Sequence, residues 1–391
     1  SSSMKGTGYL VYSKGTEFHG LFSLAINLND IEYPHKIMLD FEVDCEMPLD
    51  MFSVESANLV GDDGRRVSME RLKSCLHESR RGKRHIFQYG LWHVFYEYPQ
   101  TSNQVNFFIP NMYYIGPSIF CGASRSSECV RTEFEGKQYE IFIESFPISG
   151  KSGRKTIYSD KARITHRLSI SSVDGQKCEY STLRTLADRV CNLLSVAEGR
   201  TIDWAFSTVK NERSLFLKEF KGLSWSSPKS GRPLLNIHDS TRISKILSCL
   251  ETLNALELHT RNKMMLFVSD IHLSSLTPNS SARIAILSSG WEVAVSNLFP
   301  NTYDKIPLED KMNAYLDHFE IEYDREEIEL FIKARNDIMH GRKESRKTSE
   351  LITIWSKNAS IAERLVMRII DFKDEFTFWG PPRSKYKFPT S

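Results

Sequence analysis

The chain has 391 residues, a formal net charge of +2 and 26% charged side chains, which is the composition of an ordinary soluble protein. This balance excludes a strongly basic nucleic-acid coat, so any contact with a nucleic acid has to come from a local basic patch. The length is sufficient for two or three domains, each with a sizeable hydrophobic core.

The seven cysteines are scattered along the chain and include no Cys-x-x-Cys pair. The sequence therefore predicts neither a zinc site nor a disulfide framework, and we expect no metal and no cofactor. No apolar run is long enough to span a bilayer and no signal peptide is recognisable, so we expect a cytoplasmic protein that makes no membrane contact. Residues 1–3, which precede Met4, are interpreted as the remnant of an expression tag.

Short β-type runs between turn residues dominate the first part of the chain. Residues 20–26 and 36–43 are such runs, and residues 86–96 form a longer run that is rich in aromatic side chains. The Gly-Asp-Asp-Gly cluster at 61–64 marks one of the turns. We therefore predict an antiparallel β-rich domain, either a sandwich or an open barrel, over residues 1–178.

The densest positive charge in this domain lies in the loop over residues 79–85. Its basic residues are Arg80, Arg81, Lys83 and Arg84. Ring-bearing residues follow the loop, among them Tyr89, Trp92, His93 and Tyr96. One interpretation is a grip on single-stranded nucleic acid, in which cations contact phosphates and rings stack on bases. The other is that the rings alternate into the sheet core beside a solvated loop, and it is favoured because a strand has to bury one of its faces.

The middle of the chain connects this domain to a helical one. Leucines three and four residues apart predict a helix over residues 180–197, and a strand is predicted at 202–206. The stretch 224–233, which contains Ser, Pro and Gly, is the clearest boundary in the chain. We assign residues 179–238 to a connecting segment that contains this linker.

Beyond this boundary, apolar residues recur at helical spacing almost to the end of the chain. The predicted helices start near Asp239, Met264, Pro278, Pro307, Asp324 and Leu351. We expect the last of them to end at Pro381. Short links between amphipathic helices are typical of an antiparallel bundle. The predicted fold class is therefore α+β, with the β-rich domain followed by an all-α bundle over residues 239–391.

The helix that starts at Asp324 carries the most informative residues. Its apolar stripe comprises Ile328, Phe331, Ile332, Ile338 and Met339. Continuing this stripe by seven residues from Ile328 leads to Arg335. An arginine that faces a core or an interface needs a partner, because burying an unpaired guanidinium is costly. That partner is either a carboxylate on a neighbouring helix, for which Glu292 is the candidate, or a phosphate.

His340 lies five residues beyond Arg335, and Gly341 offers a helix stop directly after it. Residues five apart on an ideal helix point roughly 140° away from each other. The two side chains therefore converge only if the helix ends or distorts near Gly341, or if two copies meet across a dimer. A second pair with this spacing, Arg80 and His85, lies in the basic loop without a helical pattern and serves as a control for chance.

The pattern Arg335-Asn336-x-x-x-His340-Gly341 resembles the Arg-x4-6-His signature of the HEPN superfamily, many of whose members are metal-independent ribonucleases. A β-rich half followed by a helical half with this motif resembles the ApeA family of bacterial anti-phage abortive-infection proteins. The resemblance implies an endoribonuclease toxin that acts on RNA, with tRNA as one candidate substrate. It also implies a homodimer or higher homo-oligomer joined through the helical domain, and a phage-derived trigger is a further candidate partner.

The residue types of the motif fit RNA cleavage without a metal. The 2′-hydroxyl of RNA can attack the adjacent phosphate, a reaction that needs a base, an acid and positive charge on the phosphate oxygens. Histidine suits either proton transfer, and the arginine fork suits the phosphate. We therefore predict His340 as general acid or base and Arg335 as phosphate ligand, with Asn336 orienting the histidine or holding the phosphate.

Basic residues after His340 are a second candidate contact with RNA. They are Arg342, Lys343, Arg346 and Lys347. Because they directly follow the motif, they are placed to touch an RNA backbone, and a merely solvated loop is an equally good interpretation.

Two alternatives to the enzyme remain open at this level. One is a non-catalytic HEPN-like module that serves for dimerisation or nucleotide binding. The other is a plain structural bundle in which Arg335 pairs with Glu292 and His340 caps its helix.

Overall fold

The structure is a computed structural model, and it describes residues 2–12, 15–27, 36–43, 54–70, 76–80, 84–88, 93–97, 100–110, 127–146, 164–211, 214–221, 234–235, 241–296, 305–341, 346–378 and 384–388. By their internal contacts the residues form two compact units. The first comprises Ser1–Tyr114, Ser118–Asp188 and Asp203–Pro228, and the second is built mainly from Arg189–Ile202 and Lys229–Ser391.

The first unit is rich in β-strands, and all its described pairings are antiparallel. Its strands are β1 (Ser2–Tyr12), β2 (Glu17–Asn27), β3 (Lys36–Val43), β4 (Val54–Gly61), β5 (Arg66–Glu70), β6 (Leu76–Arg80), β7 (Arg84–Gln88), β8 (His93–Tyr96), β9 (Thr101–Ser102), β10 (Gln104–Pro110), β11 (Ser127–Phe134), β12 (Lys137–Ser145), β13 (Ile164–Ser172), β14 (Cys178–Glu179), β15 (Phe206–Asn211) and β16 (Ser214–Phe220). Fourteen of these form one sheet in the order β11-β12-β13-β10-β15-β16-β8-β5-β4-β1-β2-β3-β7-β6, and β9 pairs with β14.

Alternate side chains of the strands form the core of this unit. In β3, Leu39 and Phe41 are fully buried, whereas Glu42 beside Phe41 is exposed. This period of two is that of a strand with one covered face, and each such buried side chain contributes about 1.5–3 kcal/mol. The predicted turn at 61–64 is confirmed: the Gly64 N–H donates to the Gly61 carbonyl at 2.8 Å, and Gly64 has a φ of +79°.

Two predictions within the β-rich part need correction. The basic loop predicted over 79–85 is shorter, because β6 and β7 pair as far as Arg80 and Arg84. The long strand predicted over 86–96 is two strands with different partners: β7 pairs with β3 and β6, and β8 pairs with β5 and β16. Tyr89 and Trp92 lie outside the described residues.

The strand predicted at 202–206 is also wrong, because β15 begins only at Phe206. Ile202 and Trp204 bond to a helix, whereas the Ala205 N–H, directly before the strand, donates to the Phe108 carbonyl of β10 at 2.8 Å. The Ile202 N–H donates to Ser195 Oγ at 2.8 Å, and the Trp204 ring N–H donates to Asp188 Oδ1 at 2.7 Å. Both acceptors belong to helix α1 (Tyr180–Glu198), which confirms the predicted helix over 180–197.

The second unit is helical. Its helices after the second half of α1 are α2 (Arg242–Leu247), α3 (Leu250–Ala255), α4 (Leu258–Leu276), α5 (Ser280–Val295), α6 (Leu308–His318), α7 (Arg325–Met339) and α8 (Thr348–Ile369). Helix α5 packs against α4, α6, α7 and α8. None of the described helices is long and apolar enough to cross a bilayer. The antiparallel sheet followed by these helices confirms the predicted α+β class.

The ends of the helical region differ from the prediction. The first predicted helix is two helices, since α2 and α3 are separated at Ser248 and Cys249, and its predicted cap at Asp239 lies outside the described residues. The last helix ends at Ile369 and not at Pro381, because Asp371 adopts a left-handed φ of +56°. A hairpin of β17 (Phe376–Phe378) and β18 (Ser384–Tyr386) follows it.

Candidate functional site

Helix α7 starts where its cap predicts. The Asp324 side chain accepts a hydrogen bond from the Glu326 N–H at 3.0 Å, which satisfies one of the free donors of the first turn. Ile328, Phe331 and Ala334 are fully buried against the bundle. This burial fixes the rotation of the helix about its axis and places Arg335 at the border of the buried stripe.

The Arg335 side chain is 23% exposed and is held by two acceptors. Its Nη2 donates to Glu292 Oε1 at 2.7 Å, and its Nη1 donates to Asn336 Oδ1 at 2.9 Å. The ion pair proposed from the sequence is therefore present in the structure. Because the Glu292 side chain is 39% exposed, we expect the pair to contribute about 1 kcal/mol or less to stability. Its main effect is to hold the guanidinium in one orientation.

Helix α5 presents Glu292 to Arg335 from a rigid position. The preceding residue, Trp291, is fully buried, and its ring N–H donates to Asn358 Oδ1 of α8 at 2.6 Å. The Trp291 ring also packs on Phe267 of α4, with 5.0 Å between the ring centroids. Three helices thus determine where the carboxylate stands, so the arginine meets a preorganised partner.

Helix α7 ends at Met339, between the motif residues Arg335 and His340. His340 is the C-cap, with its N–H bonded to the Asn336 carbonyl at 3.1 Å, and the Gly341 N–H donates to the Ile338 carbonyl at 3.2 Å. Gly341 has a φ of +61°, a conformation that glycine adopts without strain. The His340 side chain is exposed and makes no hydrogen bond to a residue that the structure describes. Arg335 contacts Glu292 and Asn336 instead of His340.

Met339 departs from the predicted stripe. It is 56% exposed, although the sequence pattern grouped it with the buried apolar residues. Met339 lies in the last turn of α7, five residues beyond Ala334, the last buried residue of that helix. An exposed methionine therefore stands next to the exposed histidine.

Of the basic residues predicted to contact RNA, the structure describes the side chains of two, Arg346 and Lys347. Arg346 Nη1 forms an ion pair with Asp337 Oδ2 at 3.1 Å, and Lys347 is the exposed N-cap of α8. The sequence analysis did not predict the ion pair between Arg346 and Asp337. The signal for it was the opposite charge of these two residues, which lie nine positions apart on either side of a helix end. Arg342, Lys343, Arg81 and Lys83 lie outside the described residues, as do the side chains of Arg80 and Arg84.

A concave surface lies on one face of the β-rich sheet. It is a cleft of about 510 Å³, and its lining includes Tyr9, His19, Leu21, Asn58, Arg66 and Glu97. The rings of Tyr9 and His19 stand 5.4 Å apart, centroid to centroid. The sequence analysis missed this cleft, because alternation identifies the outward side chains of each strand but not whether the face they share is concave.

The described residues contain no group of three His, Cys, Asp or Glu side chains that could hold a metal ion. In comparisons with known proteins, a family model of the YopA central domain matches residues 98–230, about a third of the chain. The matched segment runs from β9 to β16 and includes α1 but not the motif helix α7. Neither the curated proteins nor the solved structures contain a match.

Proposed function

We propose that the protein is a metal-independent HEPN-type endoribonuclease, a cytoplasmic RNase toxin of bacterial anti-phage defence that acts by abortive infection. The observation that carries this proposal is the end of α7, where an oriented arginine and an exposed histidine stand at the last turn of one helix. The resemblance to ApeA-like chains supports the defence role, RNA as substrate with tRNA as one candidate, and a phage-derived trigger.

The proposed reaction uses the nucleophile that RNA carries. The 2′-hydroxyl loses its proton to a base and bonds to phosphorus, while the bond from phosphorus to the 5′-oxygen breaks and that oxygen takes a proton from an acid. His340 is suited to one of these transfers. Arg335 neutralises charge on the non-bridging oxygens, and Asn336 orients the site. Arg346 and Lys347 are candidate contacts to the flanking backbone.

One histidine cannot easily serve as both acid and base on opposite sides of the phosphorus. The proposal therefore includes a homodimer or higher homo-oligomer in which two α7 ends share one cleft. Two features support it: His340 does not turn back to Arg335, and Met339 exposes an apolar side chain beside it. An isologous contact brings two such ends together by symmetry.

A second candidate function is a non-catalytic module for dimerisation or nucleotide binding. The observation that favours it is the ion pair itself. Arg335 bonds to Glu292 and His340 caps α7, which is the arrangement that a purely structural role for both residues requires.

Cleavage of RNA by the purified protein is expected to persist in excess EDTA, because both proton transfers and charge neutralisation come from side chains. Products should carry 2′,3′-cyclic phosphate and 5′-hydroxyl ends, which end-specific ligation and phosphatase treatment identify. Loss of cleavage in EDTA with recovery in magnesium contradicts the mechanism. Absence of cleavage on every RNA tested, including total RNA from infected cells, favours the second candidate.

The active protein is expected to be at least a dimer at assay concentration, which light scattering measures directly. Mixing inactive Arg335→Ala with inactive His340→Ala protein should restore part of the activity after subunit exchange. This recovery arises because one intact arginine and one intact histidine then meet in a single cleft. A fully active monomer rules out the shared cleft.

A further inference from the structure

Helix α4 is apolar on two opposite faces. One face carries the buried residues Met264, Phe267 and Ile271 and packs mainly against α5 and α8. The opposite face carries four leucines that are between 44% and 64% exposed: Leu258, Leu266, Leu273 and Leu276. At the angular spacing of an α-helix these four fall within a sector of roughly 80°. They therefore form one stripe, which we call the leucine face.

The leucine face is also free of charge over most of its length. From Leu266 to Leu276 the exposed positions are Leu266, Ser269, Leu273 and Leu276. A helix that faces water on one side normally carries charged residues there. Depletion of charge around large apolar side chains is instead the composition of an interface core.

Helix α5 shows that a helix with apolar residues on opposite faces is covered by neighbouring helices on both. It is apolar around most of its circumference, and it packs against α4, α6, α7 and α8. Helix α4 has the same two-sided pattern, but its main helix partners lie on one side. The leucine face thus calls for a neighbour that the described bundle does not supply.

We propose that this neighbour is the leucine face of a second copy of the chain, packed antiparallel across a two-fold axis. Leu266, Ser269, Leu273 and Leu276 are spaced three, four and three residues apart, as in the seam of a coiled coil. An antiparallel crossing beside Ser269 sets Leu266 against Leu273 of the partner subunit, and the reverse contact follows by symmetry. The small Ser269 side chain lets the two backbones approach closely.

The size of the leucine face suits this occupant. Four half-exposed leucines form a patch on the order of a few hundred Å², comparable to the largest apolar patch of a typical monomer, which is often functional. A standard interface buries about 800 Å² on each partner, of which an apolar core is one part and a polar rim the rest. Asn262 and His259, both exposed on α4, are available for that rim.

This interface contains no residue of the Arg335–His340 motif and does not rest on the proposed function. Light scattering on the full chain tests it, with the double variant Leu266→Glu/Leu273→Glu. The apparent molar mass should fall to about half of the parental value. The control is the double variant Leu21→Glu/Val173→Glu, which places the same two charges at apolar residues of the β-rich unit that are 60% and 44% exposed. The control should keep the parental mass.

Oxidative cross-linking of a Ser269→Cys variant identifies the occupant. Covalent dimers are expected on a non-reducing gel for this variant but not for the parent chain. Equal masses for parent and double variant, without cross-linked dimers, overturn the proposal. A double variant that unfolds while the parent is monomeric also overturns it, because the chain itself then covers the leucine face. RNA cleavage is no readout here, and recovery of activity on mixing Arg335→Ala with His340→Ala protein remains the test of the shared cleft, so the two proposals fail separately.

Discussion

His340→Ala is expected to slow RNA cleavage by about 10²- to 10⁴-fold, the range typical for loss of a positioned acid or base. The side chain is exposed at the end of α7, so its removal leaves the buried stripe of that helix untouched. We therefore expect the free energy of unfolding to change by about 0.5 kcal/mol or less. Initial rates on a labelled RNA measure the loss of activity. Urea unfolding followed by circular dichroism on the same preparations measures the free energy of unfolding.

The chain offers a matched control in His318, an exposed histidine at the end of α6. His318→Ala should cleave RNA at the parental rate, because it removes an imidazole from the same kind of position outside the proposed site. If the His340→Ala protein is as active as the His318→Ala protein, His340 is not the acid or base, and the non-catalytic candidate gains support.

Acidification is expected to destabilise the helical unit through His272. This residue of α4 is buried and lines a small cavity with Ser275 and Glu363, and its Nδ1 has no hydrogen-bond partner among the residues that the structure describes. Burial lowers the pKa of His272 from 6.5 to about 3. Between pH 6.5 and pH 3, His272 is protonated in the unfolded chain but neutral in the folded chain. The free energy of unfolding therefore falls as the pH drops through this window. At about pH 4.5 the loss amounts to roughly 3 kcal/mol.

Urea unfolding of the parent and of His272→Gln, at neutral pH and at about pH 4.5, measures this effect. The variant should lose roughly 3 kcal/mol less on acidification, because glutamine does not titrate in this window. His318→Gln is the control, since that histidine is exposed and its removal should leave the pH dependence unchanged. Equal acid sensitivity of parent and His272→Gln contradicts the prediction.

Local spacing was enough to predict most of the helical unit and the geometry of Arg335. The stripe through Ile328 and Phe331 identifies the core face of α7, and the arginine on its border signals a charged partner. Glu292, on the helix with Trp291, was one candidate for that partner. The stripe within each helix depends on residues a few turns apart, where the helical period is reliable, whereas the pairing of Glu292 with Arg335 joins two helices and is seen only in the structure.

The contacts of buried charged residues in the sheet could not be predicted from the sequence. Lys218 and Glu219 are adjacent in β16, and both are buried, although alternation would place one of them in water. The Lys218 ammonium is satisfied by the carbonyls of Tyr96 and Glu97, more than a hundred residues away, and burial lowers its pKa to about 8. Glu219 accepts from the Tyr180 hydroxyl at 2.7 Å. Such pairings are decided by strand order, which residue patterns do not encode locally.

The backbone ladder that joins the two sides of the large sheet is short. Strands β16 and β8 share two residue pairs in the described chain, Glu219 with Phe95 and Phe220 with Val94, whereas β10 and β13 pair along seven. All other described partners of β10 to β13, β15 and β16 lie within residues 98–230, the segment that the family model matches. In mechanical terms the seam between β8 and β16 is held mainly by side chains and less by backbone pairing. Phe206, Leu217 and Phe220 belong to the same buried cluster as Leu59, Met69 and Val94, so this cluster carries the load between the matched segment and the strands before it.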